Sequence, residues 1–257
     1  MSQRMNAINI LGLSLLAVLG LMAVTAGAAQ AVELELKKGE FTLEGSTFTA
    51  KSLGSEQVTG TGDEGTLLVA EVNLNLECGG ADVVSGTVLL GGTAHASLLF
   101  LGCKVQGNSF CKVYPTKEAM EKEAEAVQGD LTATGLGLLL LMKKTDEPSE
   151  AYKHYLLLEP TPGSTTFTQV FLTSSKKGCT VELEPKVSGS TVVELPNALA
   201  AGGQLTQQLV TLSATELKAL FPEDKLTYGG HPAFIDGGNV SAQLSGALHK
   251  DAKWGAE

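Results

Sequence analysis

Arginine is almost absent from this sequence. Arg4 is the only arginine in 257 residues, and acidic residues outnumber basic ones, which gives a formal net charge of −10 at pH 7. Arginine is the residue that clamps phosphates and reads guanine edges, and an acidic surface is poorly equipped for nucleic acid or anionic lipid. We therefore expect no nucleic-acid partner and interpret the charge as a source of solubility.

Catalytic motifs are missing as well. No G-x-S-x-G elbow, H-E-x-x-H helix or EF-hand loop occurs in the chain. Residues Ser174 to Lys177 satisfy S-x-x-K, but the companion motifs are lacking and a Lys-Gly turn follows. We interpret that segment as a loop. The sequence thus assigns no catalytic residue, and we expect a non-enzymatic protein without a cofactor.

Metal-binding patterns are equally weak. The chain has four histidines, which are His95, His154, His231 and His249. They show no ligand spacing, and the four cysteines include no C-x-x-C pair. We assign no metal site and interpret His95 as a structural histidine on its strand.

A glycine-rich segment, Gly60 to Gly65, formally matches the G-x-G-x-x-G dinucleotide motif. That motif requires a helix after the glycines, because the helix N-terminus holds the pyrophosphate. An alternating segment from Leu67 follows instead. We interpret the glycines as a hairpin loop.

The first 31 residues have the pattern of a secretory signal peptide. Arg4 supplies the positive n-region, Ile10 to Val24 the apolar h-region, and Ala29-Gln30-Ala31 a small-x-small cleavage site. An uncleaved anchor is the alternative. We expect export of a mature chain of residues 32–257, with no membrane span, as one β-rich domain.

What the chain does contain is a series of short strands. Leu67 to Cys78 alternates apolar and polar residues, and the glycine pairs Gly79-Gly80 and Gly91-Gly92 punctuate the segment that continues to Cys111. The other predicted strands are Val32 to Lys37, Phe41 to Lys51, Asp82 to Leu90, Thr93 to Val105, Asp130 to Lys143, Tyr152 to Glu159, Thr165 to Thr173, Cys179 to Glu184, Val187 to Leu195, Gln204 to Leu212 and Asn239 to Leu248. This pattern predicts an all-β fold, an antiparallel β-sandwich or distorted barrel.

Two segments favour helix. Thr116 to Gln128 is rich in Ala, Glu and Lys, which predicts an acidic helical insertion within the one domain. Ser213 and Glu216 form a capping box that opens a helix of one or two turns, and Pro222 ends it. The fold therefore carries one or two short helices.

The four cysteines of an exported chain are expected to be oxidised, and three pairings are possible. Cys78 is the last residue of one apolar face, and Cys179 shares an apolar face with Val181 and Leu183. We therefore expect both side chains to point inward. On that basis we predict Cys78–Cys179, with Cys103–Cys111 closing a short loop. A bridge over the long interval would stabilise by about 2–4 kcal/mol.

Several short motifs carry a resemblance. They are LEC at Cys78, LFLGC at Cys103, LLLEPTPG from Leu156, GCTV at Cys179 and AKWGA around Trp254. With a signal peptide ending in AQA, these resemble a group of secreted bacterial β-rich proteins that has no established activity. The resemblance implies export and a cysteine-tied β fold, and it implies nothing about catalysis.

The leading hypothesis is a non-enzymatic exported protein that acts as a structural or interaction module at or outside the cell surface. Its ligand and partners are unknown from the sequence, and self-association through strand edges is one extension. The alternative is a carbohydrate-binding or carbohydrate-active protein. It would use Tyr228, His231, Asp236 and Trp254 together with the loop acids at Asp63-Glu64 and Asp146-Glu147.

Overall fold

Alternating apolar and polar residues produce strands along most of the chain. The computed structural model describes residues 34–43, 46–47, 56–89, 91–144, 151–173, 178–179, 184–196, 205–222, 225–247, 249–250 and 252–257. The predicted signal peptide lies outside these residues. Leu34–Glu257 is one compact unit, and no helix in its described part is long and apolar enough to cross a membrane.

The strands run in chain order as follows: β1 (Leu34–Lys38), β2 (Phe41–Leu43), β3 (Ser46–Thr47), β4 (Glu56–Gly62), β5 (Gly65–Val69), β6 (Leu74–Cys78), β7 (Gly80–Leu89), β8 (Thr93–Leu101), β9 (Lys104–Val105), β10 (Val113–Tyr114), β11 (Leu131–Lys144), β12 (Lys153–Pro160), β13 (Thr166–Gln169), β14 (Phe171–Leu172), β15 (Lys186–Ser188), β16 (Thr191–Glu194), β17 (Thr206–Thr211), β18 (Thr227–Tyr228), β19 (His231–Pro232), β20 (Phe234–Gly237), β21 (Val240–Leu244) and β22 (Trp254–Ala256). Two short α-helices accompany them in the described residues, α1 (Lys117–Glu121) and α2 (Ala214–Leu220).

Eight of these strands close into an antiparallel barrel, which confirms the all-β prediction. The strand order is β11-β12-β16-β17-β21-β4-β7-β8, and β8 pairs back to β11. Closure depends on β11, a strand of 14 residues. Leu131 to Leu138 pair with β8 on one side, while Gly135 to Met142 pair with β12 on the other. The end of β11 beyond β8 pairs with the edge strand β1.

Smaller sheets lie at the ends of the barrel. Strand β2 pairs with β3 and β22. A four-stranded sheet, β20-β5-β6-β9, and another, β13-β15-β18-β19, together with the pair β10-β14, carry the cysteine-rich part of the chain.

Buried apolar side chains form three clusters. One lies at the β22 end of the barrel and includes Leu139 and Trp254. Another contains Leu131, eight residues back along β11, with all four cysteines, so it marks the opposite end. The third lies on the outer face beneath α2, where the rings of Tyr155 and Phe221 meet edge to face at 5.2 Å.

The stretch from Leu67 to Cys78 is a hairpin, so the prediction of one alternating strand was wrong. Residues Ala70–Val72 form a 3₁₀ turn between β5 and β6, and Asn73 follows with a left-handed φ of 51°. Asparagine tolerates that conformation because its side chain can hydrogen-bond locally. The hairpin register sets Val69 opposite Leu74, so apolar residues still face the core on both arms.

The glycines at Gly60 and Gly62 lie within β4, so the hairpin-loop interpretation was also wrong. Strand β4 pairs with β7 and β21, while β5 belongs to a different sheet. A Cβ on Gly60 would lie 2.1 Å from the backbone oxygen of Ser241. Glycine is therefore required by the close approach of two backbones, and no helix follows to make a dinucleotide site.

The acidic insertion is less helical than its composition predicted. Within residues 116–128 the chain forms α1 and a 3₁₀ turn at Glu125–Val127. Glu123 separates the two with a positive φ of 47°. The capping box of Ser213 and Glu216 at the start of α2 is confirmed.

Several predicted strands have different bounds. Thr93 to Val105 divides into β8 and β9, and Thr165 to Thr173 divides into β13 and β14. The segment Val187 to Leu195 divides into β15 and β16 at Gly189, whose φ is 96° and whose Cβ would lie 1.9 Å from the oxygen of Lys225. The predicted strand Asn239 to Leu248 is β21, which is shorter and ends at Leu244. Most of the predicted strand Cys179 to Glu184 lies outside the described residues, as do Ser174 to Lys177 and Asp146-Glu147.

The cysteines are all oxidised, but their predicted pairing was wrong. The disulfides are Cys78–Cys103 and Cys111–Cys179. Strands β7 and β8 form a hairpin in which Gly80 pairs with Leu101, so two residues further out on each arm the chain brings Cys78 beside Cys103. The register of this hairpin determines the partner of Cys78, whereas the inward direction of the Cys78 and Cys179 side chains does not.

We expect the bridge that spans the longer interval to stabilise the fold more. The sequence separations are 68 for Cys111–Cys179 and 25 for Cys78–Cys103. Loop-closure entropy then predicts that the double variant Cys111→Ala/Cys179→Ala loses about 1 kcal/mol more free energy of unfolding than Cys78→Ala/Cys103→Ala. Urea denaturation measures the difference.

Peptide mapping of the non-reduced protein checks the pairing directly. We expect linked peptides that contain Cys78 with Cys103 and Cys111 with Cys179. A peptide that joins Cys78 to Cys179 would contradict the structure.

Candidate functional site

The inner face of the barrel is made largely of small residues. Strand alternation points every second side chain inward. Six inward positions that line the interior have no bulky side chain, and they are Gly86, Ala94, Ala96, Ala133, Gly135 and Gly137. Three strands, β7, β8 and β11, supply them, so the small residues form one continuous patch of wall.

This patch leaves space that the remaining wall does not fill. A cavity of about 260 Å³ lies within the barrel. The larger side chains that complete its wall include Val83, Leu98, Leu158, Leu209 and Val240. An eight-stranded barrel is just wide enough for its side chains to fill it or for one small ligand. This barrel is the second case, because its small inward residues leave a space large enough for one small ligand.

Aromatic residues close the cavity at both ends. Phe167 of β13 reaches one end, where its ring contacts the site of a Cβ on Gly135. Phe41 of β2 and Trp254 of β22 lie at the other, with ring centroids 6.0 Å apart. The cavity is therefore bounded by elements outside the barrel as well as by its wall.

Trp254 is held by hydrogen bonds of its backbone. It pairs with Leu43 in the β2–β22 ladder, and the buried side chain of Gln207 donates from Nε2 to the Trp254 carbonyl oxygen. The side chain is 3% exposed. Its indole N–H has no acceptor among the described residues.

A buried carboxylate and a histidine lie together at the start of β4. The Glu56 carboxylate is 5% exposed, and its Oε1 is 2.9 Å from Nδ1 of His249. A buried carboxylate is costly unless it is paired, and a protonated His249 would be the nearest compensating charge.

The residues considered for carbohydrate binding do not converge. Tyr228 is buried, its hydroxyl donates to the Val170 carbonyl at 3.0 Å, and burial raises its pKa. His231 lies across the ladder from Tyr228, but its Nδ1 faces the Glu71 carboxylate at 2.9 Å. Asp236 is exposed on β20. Trp254 belongs to the core cluster at the other end of the barrel.

Of the loop acids Asp63 and Glu64, Glu64 forms a hydrogen-bonded pair on the surface with Glu77 of β6. A hydrogen bond from Glu64 to Glu77 raises the pKa of the Glu64 carboxyl and lowers that of Glu77. Lys104 lies 3.5 Å from Glu77. Direct contact leaves no room between these carboxyls for a sugar and a water molecule. The pair is therefore unsuited to glycoside hydrolysis.

His95 is half-buried, as a structural residue would be. It alternates with Ala94 and Ala96, so its side chain leaves the barrel wall on the outer face. Among the residues that the structure describes, no group of three His, Cys, Asp or Glu side chains could hold a metal ion.

Sequence reasoning missed the cavity. Its signal was the alternation of Ala133, Gly135 and Gly137 in β11 and of Ala94 and Ala96 in β8, small residues at every second position of two neighbouring strands. Comparisons of the chain with protein-family models, with curated proteins and with solved structures give no match. The geometry alone therefore supports the functional argument.

His154 makes stability depend on pH. It lies on the inward face of β12, in line with Leu156 and Leu158, and burial lowers its pKa below the ordinary 6.5. The unfolded chain then binds this proton more readily, so the contribution of His154 is retained above about pH 6.5 and lost as the pH falls further. We expect His154→Gln to lose less stability than the unaltered protein between about pH 8 and pH 5. Urea midpoints that fall in parallel for the two proteins would contradict this.

Proposed function

We propose that this protein is a non-enzymatic exported binding protein that carries a small apolar molecule inside its barrel. The observation that supports this most directly is the cavity of about 260 Å³ with a wall of glycine, alanine and aliphatic side chains. An apolar cavity of about 150 Å³ accommodates benzene, so this one suits a molecule of about ten non-hydrogen atoms.

The cavity has an energetic cost that a purely structural scaffold would avoid. Protein interiors pack to the density of organic crystals, and each unfilled Å³ costs about 24 cal/mol in large-to-small variants. Leucine in place of Ala96 or Ala133 would fill the space without a polar mismatch. Small residues at these positions are explained if a ligand completes the core.

Export and the lack of enzymatic activity have separate support. Two disulfides are typical of exported proteins, because cytosolic thiols are kept reduced. The signal-peptide pattern of residues 1–31 and the resemblance to secreted bacterial β-rich proteins point the same way. The carboxylates of Glu56, Glu64, Glu71 and Glu77 each lie against another polar side chain and none of the four lines the cavity, so they do not suggest a reaction there.

Carbohydrate binding has less support than it had from the sequence. Sugars need polar groups and an exposed aromatic platform. Here the cavity wall is aliphatic, and Trp254 is enclosed in the core.

Self-association through strand edges has its best candidate in β1. Among the described strands, β1 is hydrogen-bonded to β11 alone. It carries Lys37 and Lys38, and lysines on an edge strand discourage pairing with another chain. We therefore leave strand-edge assembly out of the proposed function.

Filling the cavity tests the proposal. Ala133 faces the cavity from β11, and Thr132 beside it is exposed on the outer face. We expect propylbenzene, an apolar probe of the appropriate size, to bind the unaltered protein and the control variant Thr132→Leu, and not to bind Ala133→Leu. Isothermal titration calorimetry measures the affinity.

The same probe should raise the melting temperature. Saturation at about 100 times Kd corresponds to about 2.7 kcal/mol of added stability. Ala133→Leu should be unaffected by the probe. Equal binding of propylbenzene to Ala133→Leu and Thr132→Leu would refute the proposal, as would no binding to the unaltered protein.

A further inference from the structure

We propose that the ligand of the barrel carries an unbranched alkyl chain, which lies in single file along the cavity with its tip at the Phe41 and Trp254 end. This inference rests on the proposed function and deepens it, because it names the carbon skeleton of the ligand and the direction in which it lies. Branched skeletons of the same size do not fit this arrangement.

The first observation is the length of the cavity. On β11 its wall includes four successive inward residues, which are Leu131, Ala133, Gly135 and Gly137. The neighbouring strand β8 lines it over the same length, from Ala94 to Phe100. A strand rises about 3.3 Å per residue, so the lining part of β11 is about 20 Å long. Barrel strands tilt by about 35–45°, which leaves about 15 Å along the barrel axis.

The second observation is the small volume for that length. A cavity of about 260 Å³ has room for about ten non-hydrogen atoms. Ten atoms spread over about 15 Å correspond to one atom for about every 1.5 Å, which is the length of one carbon–carbon bond. The space therefore matches a chain of about ten carbons in single file, whereas a compact molecule of the same volume would leave much of the length empty.

The third observation is that neighbouring side chains limit the width. A Cβ on Gly137 would lie 2.9 Å from the side chain of Leu156, and a Cβ on Gly135 would lie 3.2 Å from the ring of Phe167. Contacts this short are rare in a close-packed interior. The wall thus has no free width for one additional carbon at either glycine, and a chain without branches satisfies this limit.

The direction of the chain follows from the difference between the two ends. Phe41 and Trp254 are 2% and 3% exposed, and they offer an apolar surface to the tip of a chain. At the opposite end, beyond the last residue of β4, the lining includes the exposed residue Asp63. A polar group costs free energy when it is buried without a partner. A polar head on the chain therefore lies at the Asp63 end, where it keeps its contact with water.

A pair of isomers tests the shape requirement in the unaltered protein. Nonan-1-ol and 3,5,5-trimethylhexan-1-ol have the same formula and the same terminal hydroxyl, and they differ only in branching. We expect nonan-1-ol to bind about tenfold more tightly, because the methyl branches overpack a narrow wall. Isothermal titration calorimetry measures both affinities.

A series of straight alcohols tests the length. From hexan-1-ol to decan-1-ol we expect each added methylene to raise the affinity about fourfold, since each one is transferred from water to an apolar wall. We expect no further gain from decan-1-ol to dodecan-1-ol, because the cavity is then full and the additional carbons remain in water.

A variant pair tests the direction. Ala94 packs against the cluster that contains Trp254, and Ser97 lies on the outer face of the same strand. Ala94→Leu fills the deep end of the cavity, so its affinity should stop rising at a shorter alcohol, close to heptan-1-ol. Ser97→Leu should have the same limiting length as the unaltered protein.

The outcomes separate this inference from the proposed function. Equal affinities for the two isomers, or no rise in affinity beyond hexan-1-ol, would overturn the chain assignment and leave the binding of propylbenzene, and with it the proposed function, intact. The same limiting length in Ala94→Leu and Ser97→Leu would overturn the direction of the chain. Failure of both propylbenzene and the alcohols to bind would overturn the proposed function itself.

Discussion

The pairing of β11 with both β8 and β12 is the constraint on which the structure depends. Once the 14-residue strand joins the two, the sheet is closed and the width of its interior is fixed. The interior can then be filled only by its own side chains or by something else. Because glycine and alanine face inward along β8 and β11, the barrel's own side chains do not fill the interior completely. The cavity results from this strand pairing together with the small inward side chains of β8 and β11, and the proposal of a ligand rests on the cavity.

The parts outside the barrel close its two ends. At one end β22 brings Trp254 against Phe41. At the other, the two disulfides lie in the same buried cluster as Val187, and Phe167 and Ile235 pack against that cluster. A cavity lowers stability, and two cross-links, each typically contributing about 2–4 kcal/mol, offset such a loss. The disulfides and the proposed ligand would therefore both compensate for the stability that the cavity costs.

Much of the fold was predictable because strand formation is local. Alternation in segments such as Thr93 to Val105 and the glycine pair Gly91-Gly92, both with positive φ, gave the β7–β8 hairpin nearly as observed. The same hairpin could also have predicted the Cys78–Cys103 disulfide, because its register sets these two residues side by side. Which strand pairs with a distant one is not local, so closure of β8 on β11 could not be predicted. Neither could the cavity, which exists only after closure.

A crystal structure determined under xenon pressure tests the central claim most directly. Xenon enters apolar cavities that are empty of water and is located by its strong scattering. The account predicts xenon within the barrel, in contact with Ala96, Ala133 and Leu158. A barrel interior filled with ordered water, or without space for xenon, would contradict it.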